Sequence, residues 1–246
     1  MLKVFIFGID GKMGRVLCCR AGMLDGFEVV GGFDKIHDMD FKVFTTVESV
    51  NIDYDVIIDF SNAASIDTIE KLVAKRKTPV VLATTGYSDV QLTKIKKMAK
   101  LVPIFMSGNM SWGIRVMQKI VELASQNLFD SFDVEIIEKH HNQKVDAPSG
   151  TAKMLADSVA IGSNKKPNFI YGRKGGDAKR TQNEICLHSV RGGTVVGEHD
   201  VSFYGPDETI TISHTALSRN IFADGALRAA KFIHKKKPNL YCMKDM

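Results

Sequence analysis

Apolar positions along the chain change their period several times, and the changes mark out its elements. Leu2–Gly8 is a nearly continuous apolar run closed by glycine, the pattern of a buried strand. Met13, Val16, Leu17, Ala21 and Leu24 then recur at helical spacing. Phe27–Phe33, Tyr54–Phe60, Pro79–Thr84 and Val102–Met106 read as further strands. Ser65 stands where it can cap a helix carrying Ile66, Ile69, Leu72 and Val73. Ser88-Asp89-Val90-Gln91 is a capping-box pattern ahead of Leu92, Ile95 and Met98. Repeated strand–helix units predict an α/β fold with a parallel sheet covered by helices.

After Ser107 the pattern changes. Ile114, Met117, Val121, Ala124 and Leu128 predict one long amphipathic helix. Val134–Glu138 reads as a strand, and a helix follows from Ser149. Glu184–Val190, Thr194–Tyr204 and Glu208–Ala216 are strand-like and separated by Gly and Pro signals, so a second, mixed or antiparallel sheet is expected. Ser163–Thr181 is polar, basic and glycine-containing and reads as a flexible loop. Asn220–Ile233 again has the pattern of a helix on an α/β domain.

Composition narrows the class. The 246 residues are 44% hydrophobic and 25% charged, the balance of an ordinary globular protein rather than a disordered or fibrous one. No apolar run is long enough for a transmembrane helix, and the N-terminal run is too short for a signal peptide. The net charge of +5 is mild, and the only dense basic stretch, Lys231–Lys237, reads as a solvated helix end. Neither a nucleic acid nor a membrane is therefore an expected partner. Cys18, Cys19, Cys186 and Cys242 form no C-x-x-C or zinc spacing, so no metal is expected, and a reducing cytoplasm is the simplest setting. Cys18 and Cys19 read as packing residues of the first helix.

Two segments carry chemistry. Gly8-Ile9-Asp10-Gly11-Lys12-Met13-Gly14 lies between the first strand and the first helix, where a dinucleotide fold needs glycines and an exposed helix N-terminus for the pyrophosphate. Its spacing is G-x-x-G-x-x-G rather than G-x-G-x-x-G. Asp34 follows twenty residues after Gly14, at the end of the second strand, where a carboxylate can accept bonds from ribose hydroxyls. Lys35 is placed to pair with a 2′-phosphate. The second segment runs from Glu138 to Ala152 and holds His140, His141, Lys144 and a Pro148-Ser149-Gly150-Thr151 helix entry. Imidazole suits acid–base work near neutrality, lysine supplies a proton, and a helix N-terminus favours anions. Neighbouring histidines on a strand point to opposite faces, which argues against a metal pair.

His140-His141-Asn142-Gln143-Lys144-Val145-Asp146-Ala147-Pro148-Ser149-Gly150-Thr151-Ala152 resembles the H-H-x-x-K-x-D-A-P-S-G-T-A signature of the 4-hydroxy-tetrahydrodipicolinate reductases. The resemblance spans the chain. Gly8–Gly14, Asp34, Ala83-Thr84-Thr85-Gly86, Ser107-Gly108-Asn109-Met110-Ser111, Val195–His199 and Leu240–Asp245 match further family segments. It implies an N-terminal Rossmann domain, 1–110 completed by 220–246, and an inserted α+β domain, 111–219, that binds substrate and carries homotetramer contacts.

The resemblance also implies roles. His140 would be the acid–base residue, Lys144 the proton donor and His141 a substrate contact. Gly150 and Thr151 would hold a carboxylate of a small dicarboxylate substrate. Gly8, Ile9, Asp10, Gly11, Lys12, Met13, Asp34, Lys35, Ala83, Thr84, Thr85, Ser107, Gly108, Asn109 and Met110 would line NADH or NADPH. Three departures stand out: Ile9 and Asp10 inside the glycine loop, Ala83 for a glycine, and Trp112 with Arg115 after the Asn-Met-Ser loop. The expected reaction is cofactor-dependent reduction at ring C4 with loss of the 4-hydroxyl as water, in lysine and diaminopimelate synthesis. The alternatives are a related dehydrogenase of another small anion and a non-catalytic dinucleotide sensor.

Overall fold

The structure is a computed structural model and describes residues 1–35 and 40–246. In chain order its elements are β1 (Leu2–Phe7), α1 (Lys12–Met23), β2 (Phe27–Phe33), β3 (Val43–Phe44), β4 (Val56–Asp59), α2 (Ile66–Arg76), β5 (Val80–Leu82), α3 (Asp89–Met98) and β6 (Pro103–Met106). There follow α4 (Trp112–Leu128), β7 (Asp133–His140), α5 (Gly150–Ser163), β8 (Asn168–Tyr171), β9 (Glu184–Arg191), β10 (Gly197–Tyr204) and β11 (Thr209–Ala216). The chain closes with α6 (Asn220–Ile233) and β12 (Asn239–Tyr241). Two units result: Met1–Ser111 with Arg219–Met246, and Trp112–Ser218.

The first unit is a parallel sheet in the order β12-β6-β5-β4-β1-β2-β3. The central strands are apolar on both sides because both faces are covered. One core holds Leu17, Cys18 and Ala21 of α1 with Ala223, Ala226, Leu227, Ala230 and Ile233 of α6. The other holds Ile66, Ile69, Leu72 and Val73 of α2 with Ile95 and Met98 of α3. Of the two adjacent cysteines only Cys18 packs in the core; Cys19 is exposed. The second unit is a mixed sheet in the order β11-β10-β7-β9-β8, antiparallel from β11 to β7 and parallel from β7 to β8. Ile114, Met117 and Val121 of α4 and Leu155 and Val159 of α5 bury the face formed by Val134, Ile136, Ile185, Val201 and Phe203.

The Ser88–Gln91 capping box forms as its spacing predicts: the Ser88 hydroxyl accepts the Gln91 N–H at 3.3 Å and the Gln91 side chain accepts the Ser88 N–H at 2.9 Å. Ser65 does not cap α2. Asn62 instead accepts the Ala64 N–H at 3.0 Å, closing a 3-10 turn over Ala63–Ser65 that runs directly into the helix. Within the expected loop Ser163–Thr181, Asn168–Tyr171 forms β8 along β9, with Phe169 opposite Ile185. The tertiary partner, not local pattern, makes this strand.

Candidate active site

In the first unit, β1 lies between β4 and β2, so the chain leaves β1 in opposite directions across the sheet. The crevice beyond the carboxyl ends of strands at such a point is where α/β folds bind ligands. The Gly8–Gly14 loop follows β1 there, Asp34 follows β2, Phe60–Asn62 follow β4, Ala83–Thr85 follow β5 and Ser107–Asn109 follow β6. Gly8 takes φ +74°, and a Cβ on Gly14 would lie 2.1 Å from the Gly8 carbonyl oxygen. Those two positions admit only glycine, and they bring backbone close to the N-terminus of α1. Its N-cap residue, Gly11, has no side chain to cap it, and its first turn carries no acidic residue. Its N–H groups therefore suit an anion.

Asp34 is tied to this loop. One carboxylate oxygen accepts the Asp10 N–H at 3.0 Å and the other the Lys35 N–H at 2.7 Å. The Asp10 side chain pairs with Arg15, while Lys12 and Lys35 are exposed. Beyond β4 and β5, Phe60, Ser61, Asn62, Ala63, Ala83, Thr84 and Thr85 line a cavity of about 290 Å³. Beneath them Asp59 is fully buried and accepts the Ser61 N–H at 3.0 Å and the Tyr87 hydroxyl at 3.2 Å. Burial pushes the Asp59 carboxyl up against the hydrogen bonds that oppose it. Gly108 adjoins Thr85, at 3.4 Å from its methyl group to a Cβ built on the glycine. The glycine cradle, helix N-terminus, tethered Asp34 and cavity fit a dinucleotide.

Two of the expected cofactor residues turn their side chains away. Ile9 is fully buried in the core against Gly32, because its chain position faces the sheet; it can offer only backbone. Met110 likewise is 2% exposed and packs in the same core. Met13 is half-buried against it. Ser107 and Asn109 brace their own loop: the Ser107 hydroxyl donates to the Asn109 carbonyl at 2.6 Å and the Asn109 side chain accepts the Ser111 N–H at 2.7 Å.

In the second unit, alternation along β7 turns Val134, Ile136, Glu138 and His140 to the helix-covered face. His140 Nδ1 lies 2.5 Å from Glu138 Oε2. Glu138 is fully buried, and Arg191 at the end of β9 grips it with two bonds, 2.8 and 2.7 Å. The Ser149 N–H donates to its other oxygen at 3.1 Å. Burial alone would raise the Glu138 pKa, but the bonds from Arg191, His140 and Ser149 outweigh it and bring the carboxyl down to about 2. His140 is buried, and its pKa is lowered chiefly by burial, against the pull of Glu138. Lys144, whose charge His140 feels, pairs with Asp146 at 2.8 Å.

Ser149 caps α5 by accepting the Ala152 N–H at 3.1 Å. Its hydroxyl also lies 3.1 Å from Nε2 of His199, a buried residue of β10 whose ring stands edge-on to His140 at 5.2 Å. Burial, then the neighbouring His140, pushes the His199 pKa down to about 4. His141 is half-buried; Gly150 is exposed and Thr151 half-buried, both in the first turn of α5. On the opposite face of the sheet Glu135, Cys186 and His188 stand within ligand distance of one another, but Arg173 and Arg180 already occupy the Glu135 carboxylate.

The sequence alone assigns no role to Glu138, Arg191 or His199. Glu138 carries a signal, since it stands two residues before His140 on a strand and hence on its face. Arg191 carries none, since only the pairing of β7 with β9 sets it opposite His140.

The two halves of the chain match two family models. The one described as "Dihydrodipicolinate reductase, N-terminus" covers residues 2–110 and its C-terminal companion covers 113–246. The chain belongs to the dihydrodipicolinate reductase family. It is 49% identical over 247 residues to the 4-hydroxy-tetrahydrodipicolinate reductase of Caldanaerobacter subterraneus subsp. tengcongensis, covering 100% of this chain and 98% of that one. It is 45% identical over 248 residues to that of Clostridium tetani, covering 100% and 97%. Among solved structures it is similar to the dipicolinate-bound dihydrodipicolinate reductase from Paenisporosarcina sp. TG-14, with a TM-score of 0.80, 26% identity, and 100% and 99% coverage. In this member of the dihydrodipicolinate reductase family, Arg115 after the Asn-Met-Ser loop is buried with Nη1 unpartnered among the described residues. No helix among the described residues is long and apolar enough to cross a membrane.

Proposed function

We propose that the protein reduces 4-hydroxy-tetrahydrodipicolinate to tetrahydrodipicolinate with NADH or NADPH, releasing water, in lysine and diaminopimelate synthesis. The observation that carries this reading is the His140–Thr151 segment, in which a buried imidazole, a lysine and a helix N-terminus converge. Family membership and the dipicolinate in the related structure support the substrate class.

The bound cofactor supplies a hydride for ring C4. The chain's own residues do the rest. The backbone of Gly8–Gly14 and the N-terminus of α1 hold the pyrophosphate, and Asp34 accepts from the ribose. Ala83–Thr85 and Ser107–Met110 line the cofactor, with Ser61 and Asn62, which share a cavity with Ala83–Thr85, added to the expected set. Thr151 and the N–H groups about Gly150 hold one substrate carboxylate, and His141 contacts the substrate. Addition of hydride at C4 of the dehydrated, conjugated imine leaves electron density at the adjacent carbon. Lys144 gives that carbon a proton. His140, neutral through burial, shares in the proton transfer through Nε2. One hydride and one proton enter, and one water leaves.

The same reading makes Met1–Ser111 with Arg219–Met246 the dinucleotide unit and Trp112–Ser218 the substrate and assembly unit. A homotetramer is supported by the family and by exposed Val190, Tyr204 and Ile210 on the second sheet. Sedimentation equilibrium distinguishes four chains from one. Four free cysteines accord with a reducing cytoplasm. The direct test is oxidation of NADH and, separately, of NADPH on adding freshly made 4-hydroxy-tetrahydrodipicolinate. Lys144→Met should lower turnover roughly 10²–10⁴-fold and leave NADH affinity, read by fluorescence titration, unchanged. No substrate-dependent oxidation by the unaltered protein would reject the reading.

A further inference from the structure

We propose that Glu138 and Arg191 are positioning residues that fix His140 in the tautomer protonated at Nδ1, so that Nε2 is its working atom. The proposal builds on the acid–base role given above to His140, but its principal readout does not need activity.

The hydrogen-bond geometry leaves one assignment. Glu138 has no exposed side-chain surface, and a carboxylate so buried must be paired. Its Oε1 receives Arg191 Nη2 at 2.7 Å and the Ser149 N–H at 3.1 Å. Its Oε2 receives Arg191 Nη1 at 2.8 Å and faces His140 Nδ1 at 2.5 Å. Held by a guanidinium, the carboxylate stays ionised and can only accept. The hydrogen in the Glu138–His140 contact therefore sits on Nδ1.

Nε2 of a neutral ring is then bare. The groups facing His140 are Glu138 on its own strand, Lys144 in the following loop, Arg191 on β9 and His199 on β10. Glu138 alone favours the imidazolium; the others and burial oppose it. The Nε2 edge is also kept open. A Cβ on Gly197 would lie 3.0 Å from Nε2, so Gly197→Ala would press on the atom that glycine leaves uncovered.

Arg191 has a second hold. Its Nη2 donates to the Asp146 carbonyl at 2.6 Å, and the Asp146 side chain pairs with Lys144. One guanidinium thus anchors the carboxylate behind His140 and the loop residue that holds Lys144. That link predicts that loss of Arg191 disturbs both proposed proton-handling residues, whereas loss of Glu138 disturbs His140.

The test is long-range ¹H–¹⁵N spectroscopy of the full-length protein labelled at histidine nitrogens, with His140 assigned by its loss in His140→Asn. At neutral pH the unaltered protein should show Nδ1 protonated and Nε2 bare. Glu138→Gln offers an amide N–H to Nδ1 and should move the proton to Nε2. Turnover should fall roughly 10²–10⁴-fold, with dipicolinate still bound. Arg191→Lys keeps the charge and loses the fork; it should keep the Nδ1–H tautomer with a smaller loss. An Nε2–H ring or an imidazolium in the unaltered protein at neutral pH would overturn the proposal without any variant. So would Glu138→Gln that folds and keeps both the tautomer and the turnover. The tautomer is read from the nitrogens themselves, so that result holds even if 4-hydroxy-tetrahydrodipicolinate proves not to be the substrate.

Discussion

Asp34 is the proposed ribose-binding acid of the dinucleotide site, and two backbone N–H groups hold its carboxylate beside the glycine loop. A free ribose 2′-hydroxyl can donate to it, whereas a 2′-phosphate meets its charge, partly offset by Lys35. Asp34→Ala should weaken NADH roughly tenfold or more, the size of a lost bond to a charged group, and weaken NADPH less. Fluorescence titration with each cofactor checks this; equal losses would remove Asp34 from the ribose site. His199 makes a second prediction for a single residue. Burial and the neighbouring His140 hold its folded pKa near 4, below the unfolded 6.5. The unfolded chain therefore takes up the proton first, so stability is full above about pH 6.5, falls as pH drops toward 4, and then levels. The share of the loss at pH 5 that belongs to His199 should be on the order of 2 kcal/mol, and His199→Gln should remove that share while leaving those of His140 and His214, whose pKa values burial also lowers. Urea unfolding at pH 7 and pH 5 gives the comparison. The Glu138 window lies lower, between its ordinary 4.5 and about 2, so the two do not overlap above pH 5. His140 and Lys144 could be named from the chain because their segment is local. Arg191 could not, since 53 residues separate it from Glu138 and only strand pairing joins them.

Long elements were legible because periodicity accumulates along them. The helix expected over Asn220–Ile233 is α6 with those ends, and the capping box opens α3 where its residues stand. The strands missed, β3, β8 and β12, have two to four residues and form only against neighbours already in place. The helices also show why small residues recur in α6. A Cβ on Gly225 would lie 1.8 Å from the Met110 carbonyl oxygen, a backbone atom that cannot yield cheaply. Gly225→Ala should therefore destabilise the first unit despite the better helix propensity of alanine, by about 1–3 kcal/mol. Calorimetry of the full chain would show a lowered melting temperature; an unchanged or raised one would mean that α6 does not approach Met110 this closely. Ile9 and Met110 illustrate the converse limit. Both were expected at the cofactor from their place in matched loops, yet each side chain fills the core and leaves only its backbone to the loop.

Across the whole molecule, an interrupted chain supplies two differently built units. The parallel sheet gathers its loops at one edge, where glycines and a helix N-terminus suit phosphates. The mixed sheet carries His140 and its anchors on one covered face, with Lys144 and the start of α5 just beyond. The change of hydrophobic period after Ser107 made the two architectures legible and the family resemblance pointed to the return of 220–246, while the strand β12 that pairs with β6 there was not legible, since three residues carry too little pattern. In the proposed reaction a bound cofactor would supply hydride to the substrate ring while Lys144 and His140 of the second unit handle the proton. Isotope transfer follows the two hydrogens separately, with NADH carrying deuterium at both C4 positions and 4-hydroxy-tetrahydrodipicolinate in ordinary water. The expected product is tetrahydrodipicolinate with one deuterium, at ring C4, by mass spectrometry and NMR. Unlabelled product, deuterium at another ring carbon, or no conversion with either NADH or likewise labelled NADPH would refute the proposed reaction.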